Sequence, residues 1–233
     1  MRLGFKGMAV AAVALALPTV AARQFFDAFE SYAPGTVMDN VGGWAGWANN
    51  PADAGTITTA QAFSGENSIQ VGGGAGGDAV HPLSGITSGQ WTIVAQSYIP
   101  RSMSTDTYFI VMNEYDHVGN WTWAIEMQFD ITTGTVLDDF RPETPIPIAF
   151  DRWAEIRIEV DLDADTQTTF YDGSLLSTGT WTRSAGDPLE IANIDLFTIG
   201  TVTYYDDVGV IPAPAGGVLM LLGAVGMTRR RRG

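Results

Sequence analysis

The sequence predicts an all-β fold, two antiparallel sheets packed as a sandwich, flanked by a signal helix at the N-terminus and a short apolar helix at the C-terminus. Three observations point there. Apolar and polar residues alternate in one short run after another, and no long stretch repeats with the helical period. Glycine and proline are frequent, 27 and 11 of 233 residues, and with aspartate they punctuate those runs. The stretch between the two ends, residues 23–210, has the size of one β-rich domain, and no internal repeat divides it.

The elements follow in chain order. Residues 1–22 open with Arg2 and Lys6, continue with an apolar core over 8–17, and finish in small residues, Val20 and Ala22 at the minus-three and minus-one positions. This is a secretory signal pattern, with a core too short to span a bilayer and cleavage expected after Ala22. Residues 25–32 form the first strand. Ser68–Val71 precedes a flexible glycine run over 72–78. Residues 91–99 and 108–115 are apolar and rich in strand formers.

The clearest strand is 123–131. It sets Trp123, Ile125, Met127, Phe129 and Ile131 on one face and Glu126, Gln128 and Asp130 on the other. Ile156, Ile158, Val160 and Leu162 alternate with Arg157, Glu159 and Asp161. Residues 168–171 follow, with a turn at Asp172-Gly173. Residues 194–199 and 202–210 close the domain, and Pro212 and Pro214, which lack an N–H, are expected to end the last ladder.

Beyond them, 211–233 is a separate tail: an uncharged apolar run over 215–228, broken by glycines, and four arginines at 229–232. It is shorter than the roughly 20 residues of a straight span. A proline-rich break, an apolar stretch and a terminal arginine cluster resemble the PEP-CTERM sorting signals of bacterial exported proteins, with Pro212-Ala213-Pro214 standing where those have Pro-Glu-Pro. The resemblance implies export and C-terminal sorting machinery as partners, and membrane contact through the tail before or instead of processing. The cell envelope, cell surface or extracellular matrix is the expected location.

Charge narrows the function further. All 26 acidic residues lie within 23–210, whereas Arg2, Lys6 and the four terminal arginines fall outside it. Six of the 12 basic residues therefore remain, none of them lysine, and the domain carries a net charge of −20. Such a surface repels nucleic acid and anionic lipid and suits cations. Cysteine is absent, so stability rests on the core rather than on disulfides.

Four segments stand in a familiar order: FFDAFESYAPGT at the start, SGENSIQV some way on, FDRWAEIRIEVDLDADTQTTFYDG in the second half, and YYDDVGV at the end. Together they resemble the concanavalin A-like (LamG-like) jelly-roll domains of exported bacterial proteins. The resemblance implies a jelly-roll sandwich whose first and last strands lie side by side. That family contains lectins, glucanases, lyases and domains without activity, so the fold leaves function open.

No glucanase-type Glu-x-Asp-x-x-Glu strand, zinc spacing, nucleophile elbow or phosphate loop is present. The two histidines, His81 and His117, sit in no lyase-type motif. The sequence therefore predicts a domain that is not an enzyme. For metal, Asp161, Asp163, Asp165 and Asp172 mimic the spacing of a calcium loop, but Thr166 occupies the glycine position and an acidic hairpin connection explains them. A structural Ca²⁺ held by Glu30, Asp206 and Asp207 is the stronger expectation, because the resemblance brings the chain ends together.

Aromatic rings stack on the apolar faces of sugars. The candidate ligand contacts are Trp44 and Trp47 on a glycine-rich loop, Tyr115 and Trp121 at a loop–strand junction, and Glu126 and Gln128 on the outward face of their strand. Trp123 and Trp153 are expected in the core. The reading that results is an exported, surface-sorted, non-catalytic domain that binds an extracellular polysaccharide or contributes to the cell surface or matrix. The alternative is a divergent polysaccharide hydrolase or lyase of the same fold.

Overall fold

The computed structural model describes residues 25–73, 77–141 and 143–213. The signal segment and residues 214–233 of the tail, with the helices expected there, lie outside the described residues. Fifteen strands run in chain order: β1 (Phe25–Asp27), β2 (Ala45–Gly46), β3 (Thr56–Thr58), β4 (Ser68–Val71), β5 (Gly77–Pro82), β6 (Gln90–Tyr98), β7 (Thr107–Tyr115), β8 (Trp121–Asp130), β9 (Thr135–Asp138), β10 (Ile146–Pro147), β11 (Trp153–Asp161), β12 (Thr166–Tyr171), β13 (Ser174–Gly179), β14 (Asn193–Thr198) and β15 (Thr203–Pro212). The only helix among the described residues is a 3-10 turn at Trp47–Asn49.

The strands form two antiparallel sheets packed face to face. The eight-stranded sheet has the order β13-β12-β11-β6-β15-β4-β3, with β1 also on β15. The seven-stranded sheet has the order β10-β9-β8-β7-β14-β5-β2. Neighbours are often distant in sequence, β15 between β6 and β4 and β14 between β7 and β5, as a jelly-roll sandwich requires. The inner faces meet in one apolar core that includes Ile69, Ile93, Phe109, Phe129, Ile158 and Tyr205, all buried. The hairpin between β12 and β13 turns on Asp172 (φ 49°) and Gly173 (φ 75°). Two consecutive left-handed residues match the twist of the flanking strands.

Three expectations about the strands are corrected. The first strand stops at Asp27 rather than running to 32, because the Asp27 carboxylate accepts the Phe29 N–H at 2.8 Å and Phe29 turns left-handed (φ 59°). The last strand does not end before Pro212, which pairs with Trp91. The Ala213 N–H donates to the Gln90 carbonyl at 2.8 Å. That bond fixes the ladder's phase, so Pro212 faces Trp91 as a non-hydrogen-bonded pair and no donor is missed.

Trp123 is the third correction. Val111 pairs with Ile125 but the adjacent Met112 pairs with Trp123, so β8 carries an extra residue there. This bulge puts Ala124 and Ile125 both in the interior and turns Trp123 to the outer face. β1 does lie beside β15, with Asp27 opposite Val208, as the end motifs imply.

Candidate functional site

The outer face of the seven-stranded sheet carries a groove of about 360 Å³. Its floor comes from alternate positions of four adjacent strands: Asp78 of β5, Asp195 and Phe197 of β14, Ile110 of β7 and Glu126 of β8. Register aligns them, since Ile110 lies opposite both Asp195 and Glu126, and Phe197 opposite Asp78. Trp47, Trp123, Phe140 and Arg183 form the walls. The Arg183 guanidinium lies 3.4 Å from the centre of the Phe140 ring, a cation–π contact that holds both in place.

One end of the groove is aromatic. The two-residue strand β2 pairs with β5, and the 3-10 turn that follows, with Ala48 left-handed at φ 51°, lays Trp47 over the sheet. Its ring centroid is 5.0 Å from that of Tyr115 and 4.8 Å from that of Trp121. The Tyr115 hydroxyl accepts the Ala48 N–H at 3.2 Å and lies 3.1 Å from His117 Nδ1. Of the seven tryptophans, Trp44, Trp91, Trp121 and Trp181 donate their indole N–H internally. Those of Trp47, Trp123 and Trp153 have no acceptor among the described residues, so two free indole donors edge the groove.

The structure thus brings Trp47, Tyr115, Trp121 and Glu126 together. It removes Trp44, which is 0% exposed: its indole N–H donates to Asp27 Oδ2 at 3.1 Å and its ring packs on Phe25, Phe29 and His81. Gln128 shares the outer face with Glu126 but lies outside the groove, its amide donating to Asp106 (2.8 Å) and to the Tyr108 hydroxyl (3.2 Å). Sequence reasoning missed Asp78, Asp195, Phe140, Arg183 and Phe197. The visible sign was a carboxylate, Asp195, inside the apolar run Ile194-Asp195-Leu196-Phe197.

The calcium candidates also converge, on the 61–67 loop. Glu30 Oε1 accepts the N–H groups of Glu66 and Asn67, at 3.0 and 2.7 Å. Asp206 Oδ2 accepts those of Phe63 and Ser64, at 2.8 and 3.0 Å, and Asp207 Oδ1 accepts the Ser64 hydroxyl at 2.9 Å. These carboxylates fasten backbone. Among the described residues no group of three His, Cys, Asp or Glu could hold a metal ion. In the acidic hairpin, Asp161 accepts the N–H groups of Asp163 and Ala164, and Asp165 accepts that of Thr182.

The electrostatics of the groove centre on Asp78 and Asp195. Asp195 is 3% exposed, and Oδ1 of each carboxyl has no donor in reach. The two carboxyls lie close enough to act on one another, so that ionising both at once is unfavourable. Burial pushes Asp78 up to about 6, with the charge of Asp53 adding and Asp195 opposing. Burial, then the charge of Asp78, pushes Asp195 well above the ordinary carboxylate range. Burial also raises Glu126, with Asp139 adding and Arg183 opposing. The floor is therefore a pair of neighbouring carboxyls whose burial favours the protonated form.

No protein-family model matches the sequence, and no curated protein sequence does. Solved structures do match the fold. The endo-β-1,4-glucuronan lyase of the fungus Trichoderma reesei is 9% identical with a TM-score of 0.55, the match covering 82% of this chain and 96% of that one. A sialidase is 8% identical with a TM-score of 0.51, over 77% of this chain and 18% of that one. The Trypanosoma rangeli sialidase in complex with sialic acid is 14% identical with a TM-score of 0.52, over 82% and 30%. The chain spans nearly all of the lyase but under a third of either sialidase. At such identities the likeness establishes the β-sandwich fold.

One expectation is overturned by these matches. Absence of a known catalytic motif argued that the domain is not an enzyme, yet an enzyme shares this sandwich over almost its whole length. Motif absence therefore does not exclude activity.

Proposed function

We propose that the chain is an exported, surface-sorted domain that binds a polysaccharide along the outer face of its seven-stranded sheet. The single observation that carries this is the groove, edged by Trp47 and Trp123, with Trp121 against Trp47 and polar groups on its floor. Flat rings take the apolar faces of pyranoses, and free indole N–H groups supply hydrogen bonds. The glucuronan lyase and sialidases that share the fold are carbohydrate-active by name, which supports a glycan as ligand. The signal-like N-terminus and the PEP-CTERM-like tail support delivery to the envelope or matrix. Binding is tested by calorimetry with a panel of soluble polysaccharides. Trp47→Ala should weaken binding about tenfold, and an unchanged affinity refutes the groove.

Cleavage of the bound chain is the second reading, and Glu126 favours it. A half-buried carboxyl raised above its usual range and lining the groove could protonate a glycosidic oxygen. Release of new chain ends, lost in Glu126→Gln with binding retained, is the expected outcome.

A further inference from the structure

The buried carboxyl pair at the groove floor indicates which glycan fits. This inference rests on the polysaccharide reading above and narrows it. Asp195 is buried and lines the groove beside Asp78, and Oδ1 of each carboxyl is unpartnered. The charged and titratable groups around them come from every adjoining element. Asp53 precedes β3, and its carbonyl accepts the Asp78 N–H at 2.9 Å. Glu126 is on β8, with Asp139 beyond β9. The Tyr115 hydroxyl is on β7, and Arg183 follows β13. Among the described residues Arg183 is the one cation lining the groove. It is occupied over the Phe140 ring, and its charge acts on Glu126. Among the described residues neither Asp78 nor Asp195 makes a salt bridge.

We propose that the groove selects a polysaccharide bearing free amino groups, one ammonium seating against Asp78 and Asp195. A buried carboxyl without a counter-charge is costly. An ammonium offers three donors and one positive charge, which satisfies both orphan oxygens and lets both carboxyls ionise. The lack of a three-ligand group among the described residues argues for an organic cation over a metal ion. A uronic acid polymer would add like charge to this floor.

The test compares three oligosaccharides of equal length on the full chain at pH 6.5 in 0.15 M salt: β-1,4-linked glucosamine, β-1,4-linked N-acetylglucosamine and β-1,4-linked glucose. The amine oligomer should bind about 10- to 100-fold tighter than the other two. Titration in buffers of different ionisation enthalpy should show a proton released on its binding. Asp195→Asn, and separately Asp78→Asn, should abolish the preference while the unfolding temperature shows an intact fold. Asp163→Asn, which removes one negative charge from a hairpin of the other sheet, should leave it in place, which separates the pair from general attraction to an acidic domain. Equal affinity for all three oligomers, or a preference that survives both groove variants or falls equally with Asp163→Asn, overturns this inference while leaving the groove a glycan site. Absence of binding by all three overturns both readings.

Discussion

Asp195 lies between Val80 and Ile110 in the ladder, and a hydrophobic residue there would pack better. Its carboxyl can be accommodated only protonated or paired, so ionising it opposes folding. Asp195→Asn should therefore stabilise the free protein at pH 8 by about 1–3 kcal/mol. The gain should shrink at pH 4.5, where the parent carboxyl is already protonated. Urea unfolding at the two pH values measures this, and equal effects at both count against the buried pair. The same scale shows what the sequence hides. Trp44 and Trp47 share one glycine-rich loop, yet one is core and the other edges the groove. The difference arises because Ala45 and Gly46 pair with Val80 and Ala79, a contact no local pattern encodes. Trp123 likewise depends on a bulge that exists only once β7 is in register.

Among the elements, the 61–67 loop is held by side chains from both ends of the domain. Asp206 is fully buried at the bulge of β15 and accepts three backbone N–H groups, from Phe63, Ser64 and Asp207. Asp206→Ala leaves those donors unpaired and should cost about 2–3 kcal/mol. Amide exchange at 63 and 64 should accelerate beyond the global change, and protection equal to the parent's would exclude the clamp. Strands were legible where a period of two met strong turn signals. β8, β11 and the Asp172-Gly173 hairpin stand within a few residues of their expected places. The short strands β2, β3 and β10 were not legible, because two or three residues carry no period and exist only by pairing.

For the whole molecule, carboxyls displaced upward set the pH response. Burial pushes Asp78 and Asp206 up to about 6 in the folded state, above the ordinary carboxylate range. A raised carboxyl favours folding fully below its unfolded value, and that contribution is lost as pH rises through 6. Asp130, Asp161 and Asp172 are shifted downward, by a backbone N–H, by Gln90 and by Arg152 respectively. Their contribution persists above the unfolded value and falls away only as acid protonates them. The unfolding temperature should thus be about 5 °C higher at pH 5 than at pH 8. Added salt should narrow the gap by screening a domain of charge −20. A flat profile between those pH values would refute the assignment.

β15 is bonded along one edge to β6 and along the other to β4 and then to β1. A domain held through the chain beyond Ala213 and pulled by a polysaccharide in its groove takes tension along this strand. Both edges must then slide at once, breaking their hydrogen bonds together. Tension applied between residues 25 and 213 acts differently, because those ends emerge side by side and the three-residue β1 peels off one bond at a time. Single-molecule pulling from residue 213 against a handle on β7 should need a clearly higher force than pulling between 25 and 213. A fold that resists force along β15 and yields between its two ends is the expected outcome for the tail attachment proposed above.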